Sequence, residues 1–148
     1  MYDIIIRNGA VVDGTGKEKY LADVAVKDGK IAKIGKMKWV RGKKEIDATG
    51  KVVSPGFIDI HNHSDSYWRL FLDPQMASLV YQGITTIVGG NCGASIAPLT
   101  SGKIIESIQK WADIKEVNVN WLSMGEFREE MEKRKLGLNF ATLVGHGT

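Results

Sequence analysis

His61, His63 and Asp65 are the residues whose types and spacing point most directly to chemistry. They follow a short apolar run, residues 57–60, that is typical of a buried strand. Alternate residues of a strand project to the same side, so the three side chains would converge on one point. Imidazoles and carboxylates placed in this way suit a zinc-like divalent metal. The alternative is a partly exposed pair of loop histidines that binds nothing.

The elements that must position these residues follow a repeating order after residue 54. Residues 57–60, 84–88 and 140–144 are apolar runs typical of parallel strands. Helical patterns separate them, so the order is strand, helix, strand, helix, strand. Repeated βα units of this kind predict a parallel sheet or a barrel.

Helices are predicted in three places between these strands. Residues 74–83 are expected to form a helix capped by Asp73, and residues 104–112 carry apolar side chains at helical spacing. A further helix starts at Ser123, where Glu126 three residues later completes a capping box. We interpret these helices as packing elements without a part in the chemistry.

Polar residues capable of chemistry follow each predicted strand. His61 and His63 follow the first, Asn91 and Cys92 the second, and His146 the third. Active sites of α/β barrels and open α/β sheets lie at the carboxyl edge of the strands. The sequence therefore predicts that these residues share one site.

The first 52 residues have a different pattern. They predict short antiparallel strands that form a small sandwich or an open sheet. They hold 12 Lys and Arg against 7 Asp and Glu. Such a basic excess can indicate a nucleic-acid partner. The lysines alternate with apolar residues and no aromatic stacking pattern accompanies them, so we interpret them as a solvated face and predict no nucleic-acid partner. Turns are predicted at Asn8-Gly9, Asp28-Gly29 and Thr49-Gly50.

The composition is that of an ordinary globular protein, with 148 residues, 43% hydrophobic and 25% charged. No apolar run reaches the ~20 residues that span a bilayer, and the N-terminus lacks a signal-peptide layout. The single cysteine excludes an internal disulfide. A cytoplasmic protein without a membrane partner is therefore expected.

Four segments carry a resemblance to a known family. Residues 3–9 and residues 53–63, which include the His-Asn-His motif, match the pattern of the amidohydrolase superfamily. Within it, residues 89–95, with Asn-Cys-Gly, and residues 144–148 resemble the D-aminoacylase group, the N-acyl-D-amino-acid deacylases. The resemblance runs over essentially the whole chain and is to the N-terminal part of such an enzyme.

This resemblance implies an α/β metal-dependent hydrolase built on a (β/α)8 barrel. Residues 1–53 would be a small β-sandwich-like domain and residues 54–148 the first three βα units. A complete barrel needs ~250 residues, so the barrel would be incomplete in this chain. Its C-terminal remainder is expected in the same or a second chain. The chain alone is expected to be inactive, and its open edges favour self-association.

By the same resemblance, His61 and His63 would ligate one metal position. Cys92 would be a thiolate ligand, shared with or adjacent to a second, tightly held zinc, so the complete enzyme would hold one or two divalent ions. Metal binding would deprotonate the thiol outright. The alternative for Cys92 is a buried apolar cysteine without a ligand role.

Further residues are candidates for supporting roles. Asp65 aligns with an acidic position of the family; it is not assigned as a ligand, because it could equally orient His61 or His63. Asn91 and Ser95 are expected to position the metal loop or the substrate. His146 either supports the site, faces the substrate or is a structural histidine.

The activity implied by the resemblance is deacylation of N-acyl-D-amino acids, small molecules whose amide a zinc-activated water attacks. A carboxylate shuttles the proton to the leaving amine; in the family it is an aspartate late in the barrel, expected here beyond Thr148. Two alternatives stand beside this function. One is a cyclic-amide hydrolase of dihydroorotase or hydantoinase type, which usually bridges its metals with a carbamylated lysine. The other is a non-catalytic, truncated metal-binding fragment.

Overall fold

Residues 1–99 and 117–148 are described by the computed structural model, so the helix predicted over residues 104–112 lies outside the described residues. The chain divides into two units, Met1–Pro55 and Gly56–Thr148. Within the described ranges, no helix is long and apolar enough to cross a membrane.

The first unit holds a mixed sheet of five strands. The strands are β1 (Tyr2–Val11), β2 (Tyr20–Lys27), β3 (Lys30–Gly35), β4 (Gly42–Asp47) and β5 (Val52–Val53). β1 is central, with β2 antiparallel beside it and β3 antiparallel to β2. β4 and β5 both pair with β1 in parallel. The prediction of antiparallel strands throughout is therefore wrong for these two.

Two of the three predicted turns are present, at Asp28-Gly29 and at Thr49-Gly50. The turn predicted at Asn8-Gly9 is wrong, because both residues lie inside β1. The pairing of β1 with β2 shifts register there, and Asn8 adopts φ +59°. The backbone N–H of Asn8 donates to Asp23 Oδ1 at 2.9 Å, across the sheet. The pair of residues that suits a hairpin has formed a β-bulge instead.

The second unit contains three parallel strands, as predicted. They are β6 (Phe57–Asp59), β7 (Ile84–Gly89) and β8 (Asn139–Thr142). Their order is β6-β7-β8, and each neighbouring pair is parallel. Their carboxyl ends therefore meet at one edge of the sheet.

The helices of the second unit are α1 (Arg69–Leu72), α2 (Ala77–Val80) and α3 (Met124–Lys133). The capping box predicted at Ser123 and Glu126 is present. The single helix predicted over residues 74–83 is wrong. Asp73 ends α1 rather than capping a longer helix, because the backbone leaves helical geometry at Asp73 (φ −141°) and again at Met76 (φ +49°). Two one-turn helices result; Leu70 in the first is buried, and so is Met76, which directly precedes the second.

The core of the second unit is aromatic and lies next to the loop that follows β7. Trp121 is central to it: its ring stacks on Phe71 at 5.2 Å and contacts Phe127 at 5.3 Å. Its indole N–H donates to the carbonyl of Ile96 at 2.7 Å. This packing fixes the point at which the loop after β7 re-enters the core. The buried members are Trp68, Leu70, Met76, Ile87, Ile96, Ala97, Leu99, Trp121, Phe127 and Leu138.

Candidate metal centre

His61, His63 and Cys92 form a compact group at the carboxyl edge of the parallel sheet. Cys92 Sγ lies 3.4 Å from Nε2 of His61 and 3.6 Å from Nε2 of His63. Potential ligand atoms of the three residues all lie within 4.8 Å of one another. His61 and Cys92 are exposed and His63 is half-buried. The side chains predicted to meet from two strands do meet.

The histidines reach this position from the loop after β6 rather than from the strand itself. β6 ends at Asp59, whose Oδ1 accepts from the backbone N–H of His61 at 3.2 Å. The other carboxylate oxygen of Asp59 accepts from the Asn62 side chain at 2.7 Å. Asp59 therefore turns the chain as it leaves the strand, and the two imidazole rings come to lie 5.2 Å apart.

The cysteine stands on a short loop with an unusual backbone. Cys92 has φ +56°, and its neighbours Gly90 and Gly93 have φ +72° and +76°. A left-handed cysteine is uncommon and persists only where surrounding contacts fix it. Asn91 supplies one such contact, because its side-chain amide donates to the Val88 carbonyl at 2.7 Å. Asn91 thus shapes the loop that presents the thiol.

Asp65 does not join the group, contrary to the strand-based prediction. The chain has left strand geometry by this point, and the Asp65 side chain turns into the interior, where it is completely buried. Its Oδ2 accepts from the backbone N–H of Gly90 at 2.6 Å. Within residues 1–99 and 117–148, no hydrogen bond joins its carboxylate to either histidine. Asp65 therefore contacts the cysteine loop instead of the imidazoles.

Ser95 ties the same loop to the segment that follows β8. It is buried, and its hydroxyl accepts from the Gly145 N–H at 3.0 Å. Its own N–H donates to the Thr148 hydroxyl at 2.8 Å. The Gly147 N–H donates to the Gly93 carbonyl at 2.8 Å. Ser95 thus positions the loop from within the protein, whereas His146 is exposed and lies outside the group.

A cleft of about 370 Å³ opens beside the group. Sequence reasoning did not single out three of its residues, which lie directly after His63 and Cys92: Ser66, Tyr67 and Ala94. Thr148, whose hydroxyl contacts Ser95, was missed as well. Their closeness in sequence to the histidines and the cysteine was the available signal for the first three. The cleft offers room for a small molecule next to the group.

The donor set fits a zinc-like ion. Zinc binds imidazole at about 2.0–2.1 Å and thiolate at about 2.3 Å, so two such ligands in a tetrahedral site lie about 3.5 Å apart. The observed separations of 3.4 and 3.6 Å match that value. Imidazole and thiolate donors suit zinc, whereas magnesium and calcium prefer oxygen donors such as carboxylates, carbonyls and water. An ion held by these three residues would keep coordination positions free for other ligands.

Comparison with known proteins gives a consistent picture. The model of the amidohydrolase family matches residues 44–147. The N-acyl-D-aspartate deacylase of Alcaligenes xylosoxydans xylosoxydans is 35% identical over 146 residues, which cover 99% of this chain and 28% of that protein.

Two solved structures are similar over nearly the whole chain. An N-acyl-D-glutamate deacylase from Bordetella bronchiseptica, in complex with zinc and a phosphonate mimic of the tetrahedral intermediate, has a TM-score of 0.87 at 34% identity, over 98% of this chain and 30% of that one. A D-aminoacylase with a binuclear metal centre has a TM-score of 0.86 at 36% identity, over 99% and 30%.

This chain spans less than a third of the length of these relatives. The likeness confirms the predicted fold class, a small β region followed by the first βα units of a barrel, and the described residues contain no closed barrel. The family match covers more than half of the chain. The chain therefore belongs to the amidohydrolase family.

Proposed function

We propose that this chain is the N-terminal part of a zinc-dependent amidohydrolase that deacylates N-acyl-D-amino acids. The observation that carries the proposal is the convergence of His61, His63 and Cys92, whose ligand atoms lie within 4.8 Å of one another. The three relatives named above act on N-acyl-D-amino acids or bear the name D-aminoacylase. They supply the substrate class.

In this proposal His61, His63 and Cys92 hold the metal. A zinc ion bound there would supply Lewis-acid chemistry, lowering the pKa of a water molecule and polarising the carbonyl of an amide. Asn91 and Ser95 hold the loop that carries the thiolate. The cleft that Tyr67 and Ser66 line would receive the substrate beside the metal.

The remainder of the site would come from further barrel strands, in the same or a second chain. Apolar side chains on the two outer strands and just after them support this, because they are exposed: Phe57, Ile58, Ile60, Leu143 and Val144. Exposed apolar side chains beside an open sheet edge favour pairing with additional strands. The carboxylate that shuttles the proton would lie in that remainder, and residues 1–53 would form a separate small β domain.

The thiolate separates this proposal from a cyclic-amide hydrolase. In the resemblance described above, hydantoinase-like enzymes bridge their metals with a carbamylated lysine. Here Cys92 Sγ stands within 3.6 Å of both imidazoles. An exposed thiol aimed at two histidines fits a ligand role better than a buried apolar cysteine.

The test is metal content and activity of the protein as expressed from its gene, compared with Cys92→Ser. We expect the parent to bind zinc and to hydrolyse N-acyl-D-amino acids faster than their L-enantiomers or hydantoins. Replacing a ligand should weaken zinc binding by more than the roughly 10–100-fold that loss of a supporting residue causes. Competition with a chromophoric chelator measures the affinity.

His146→Gln is the matched control for metal binding, because this exposed histidine lies outside the group. We expect it to retain zinc, whereas His61→Gln should not. Unchanged zinc affinity in Cys92→Ser would refute the ligand role. Hydantoin hydrolysis without deacylation would favour the cyclic-amide alternative. Tight zinc binding without either activity would favour a non-catalytic metal-binding module.

A further inference from the structure

We infer that Asp65 is a positioning residue that sets the place of the Cys92 thiol by holding the backbone N–H of Gly90. The inference rests on the proposed function, in which Cys92 is a metal ligand. Asp65 would act through the loop backbone and would not touch the metal. This role differs from orienting a histidine, which the sequence left open.

The contact itself is short and completely buried. Asp65 Oδ2 accepts from the Gly90 N–H at 2.6 Å, and the residue has 0% of its surface exposed. Burial shields this hydrogen bond from competing water. Gly90 lies two residues before Cys92, and Asp65 lies two residues after His63. This hydrogen bond therefore joins the histidine segment to the cysteine loop, beside a longer one of 3.3 Å that the Asn91 side chain donates to the Asn62 carbonyl.

The loop backbone is packed around this carboxylate. A Cβ at Gly89 would lie 2.7 Å from Asp65 Oδ2 and 2.9 Å from the Phe140 ring. A Cβ at Gly90 would lie 2.2 Å from the Leu143 carbonyl oxygen, and its φ of +72° also favours glycine. Gly89 thus allows the backbone to approach Asp65 closely, and Gly90 allows it to approach the backbone of Leu143. The Asp65 carboxylate is therefore closely packed against the backbone at the end of β7.

The opposite end of the loop has its own anchor. Ser95 and the Gly93 carbonyl receive hydrogen bonds from Gly145 and Gly147, in the segment after β8. Neither of these contacts reaches the histidines. Within the described residues, Asp65 therefore makes the shorter of the two hydrogen bonds that tie the cysteine loop to the histidine segment, the other being the 3.3 Å bond from Asn91 to the Asn62 carbonyl. The left-handed Cys92 lies between this end of the loop and the end held by Ser95.

A carboxylate with a packing role alone would be an unfavourable choice here. Within the described part of the chain, Asp65 Oδ1 is buried and has no hydrogen-bond partner. Burying an unpaired carboxylate oxygen costs stability. An apolar side chain would avoid that cost but could not hold Gly90. The role that remains for the carboxylate is to hold the cysteine loop in position.

The experiment compares Asp65→Ala and Asp65→Asn in the protein as expressed from its gene. Cobalt(II) replaces zinc, and the thiolate-to-cobalt absorption band reports directly on the contact between Cys92 and the metal. We expect Asp65→Ala to weaken this band and to lower metal affinity by about 10–100-fold. Asp65→Asn should restore both, because its side-chain carbonyl can still accept from Gly90.

A second measurement needs no metal. Hydrogen exchange of the peptide that contains Gly90 should be faster in Asp65→Ala than in the parent and in Asp65→Asn. The matched control is Leu70→Ala, which removes a completely buried apolar side chain five residues after Asp65 and leaves the hydrogen bond to Gly90 in place. It should lower global stability but leave the cobalt band of the folded protein unchanged.

The outcomes separate this inference from the proposed function. A parent without a thiolate-to-cobalt band overturns the proposed function, and this inference with it. A parent band that survives unchanged in Asp65→Ala overturns this inference alone. An equal loss in Leu70→Ala overturns it as well, since the effect would then be general destabilisation. If Asp65→Ala does not fold, loss of the band in Asp65→Asn overturns it, because the acceptor is kept there.

Discussion

The two units of the chain differ in the environment of their most prominent polar side chains, which are paired with one another in the first unit and open to solvent in the second. In the first unit, the Arg7 guanidinium donates to Asp23 at 3.3 Å, to Glu45 at 3.1 Å and to the Met37 carbonyl at 2.7 Å. In the second, His61 and Cys92 are exposed, with Nε2 and Sγ 3.4 Å apart, and a cleft lined by Cys92 opens beside them. Groups that satisfy one another hold a fold together, whereas groups left open toward solvent remain able to bind a ligand.

The paired contacts of the first unit also set the protonation of its carboxylates. Burial alone would raise the pKa of Asp23, but the N–H groups of Asn8 and Met37 and the Arg7 guanidinium together hold that pKa below its ordinary value of 3.8. The Arg7 side chain likewise lowers the pKa of Glu45 below 4.5. These carboxylates are therefore committed to the ionised state and to the sheet.

Cavity size does not identify the site. The larger cavity, about 580 Å³, lies in the first unit and is lined by Arg7, Asp23 and Glu45 among others. The smaller one, about 370 Å³, lies beside His63 and Cys92. In the larger cavity the Arg7 guanidinium is already paired with the carboxylates of Asp23 and Glu45. Clustered, solvent-accessible metal-ligand atoms, rather than cavity volume, therefore identify the candidate functional site.

The largest effect on stability is expected from Phe127→Ala in the second unit. Phe127 is 2% exposed and contacts the rings of Trp121 and Phe140. Emptying such a site costs about 3–5 kcal/mol. Denaturant unfolding gives the size of the loss, and hydrogen exchange should place it in the second unit while the strands of the first stay protected.

Phe127→Leu is the matched variant, since it keeps most of the buried volume and should lose much less stability. If Phe127→Ala loosened both units equally, the contrast between them would not extend to stability. Persistence of metal binding in the folded fraction would show that the core supports the site without shaping it.

Much of this arrangement could be predicted from the sequence. The three parallel strands follow from their β-branched runs, and the cap of α3 follows from Ser123 and Glu126, because both signals are local. The meeting of His61 with Cys92 follows from a topological rule, since carboxyl ends of parallel strands share an edge. That these residues bind a metal stays a prediction.

Two of the misses share one physical cause, namely contacts between residues far apart in sequence. Asn8 forms a bulge because Asp23, fifteen residues later, captures its N–H. Asp65 turns inward because Gly90, twenty-five residues later, offers a buried donor. Sequence periodicity predicts the structure only as long as the local helix or strand continues. A long-range hydrogen bond of this kind interrupts the element, and the periodicity does not reveal it.

The next effect is expected at Asp23, in the first unit. Asp23→Asn should destabilise the sheet near neutral pH, because the ionised carboxylate accepts from Asn8, Met37 and Arg7. Its pKa is lowered on folding, so its contribution is present above about pH 4 and is lost as the pH falls through the folded-state pKa. Thermal unfolding at neutral and acidic pH measures both effects.

The variant should therefore lose less stability on acidification than the parent does. Asp28→Asn is the matched control, because Asp28 lies in an exposed turn at φ +50°, which asparagine tolerates well. It should change neither stability nor its pH dependence. Loss of metal affinity in Asp23→Asn would break the contrast, since it would make the sheet part of the site.

The smallest effect is expected from Ser123→Ala, at the start of α3. The Ser123 hydroxyl accepts from the Glu126 N–H, while the Glu126 carboxylate accepts from the N–H groups of Ser123 and Leu122 and has a lowered pKa for that reason. Loss of such a cap costs about 1 kcal/mol, measurable as a shift of the denaturation midpoint, and Ser123→Asp should restore most of it. Metal affinity should not change, because in the described part of the chain the side-chain hydrogen bonds of Ser123 join it to Glu126 and to no residue of the metal group. A fall in metal affinity with this variant would mean that the site depends on α3. The exposed arrangement of the metal group would then require the whole second unit and not only the contacts that hold the cysteine loop.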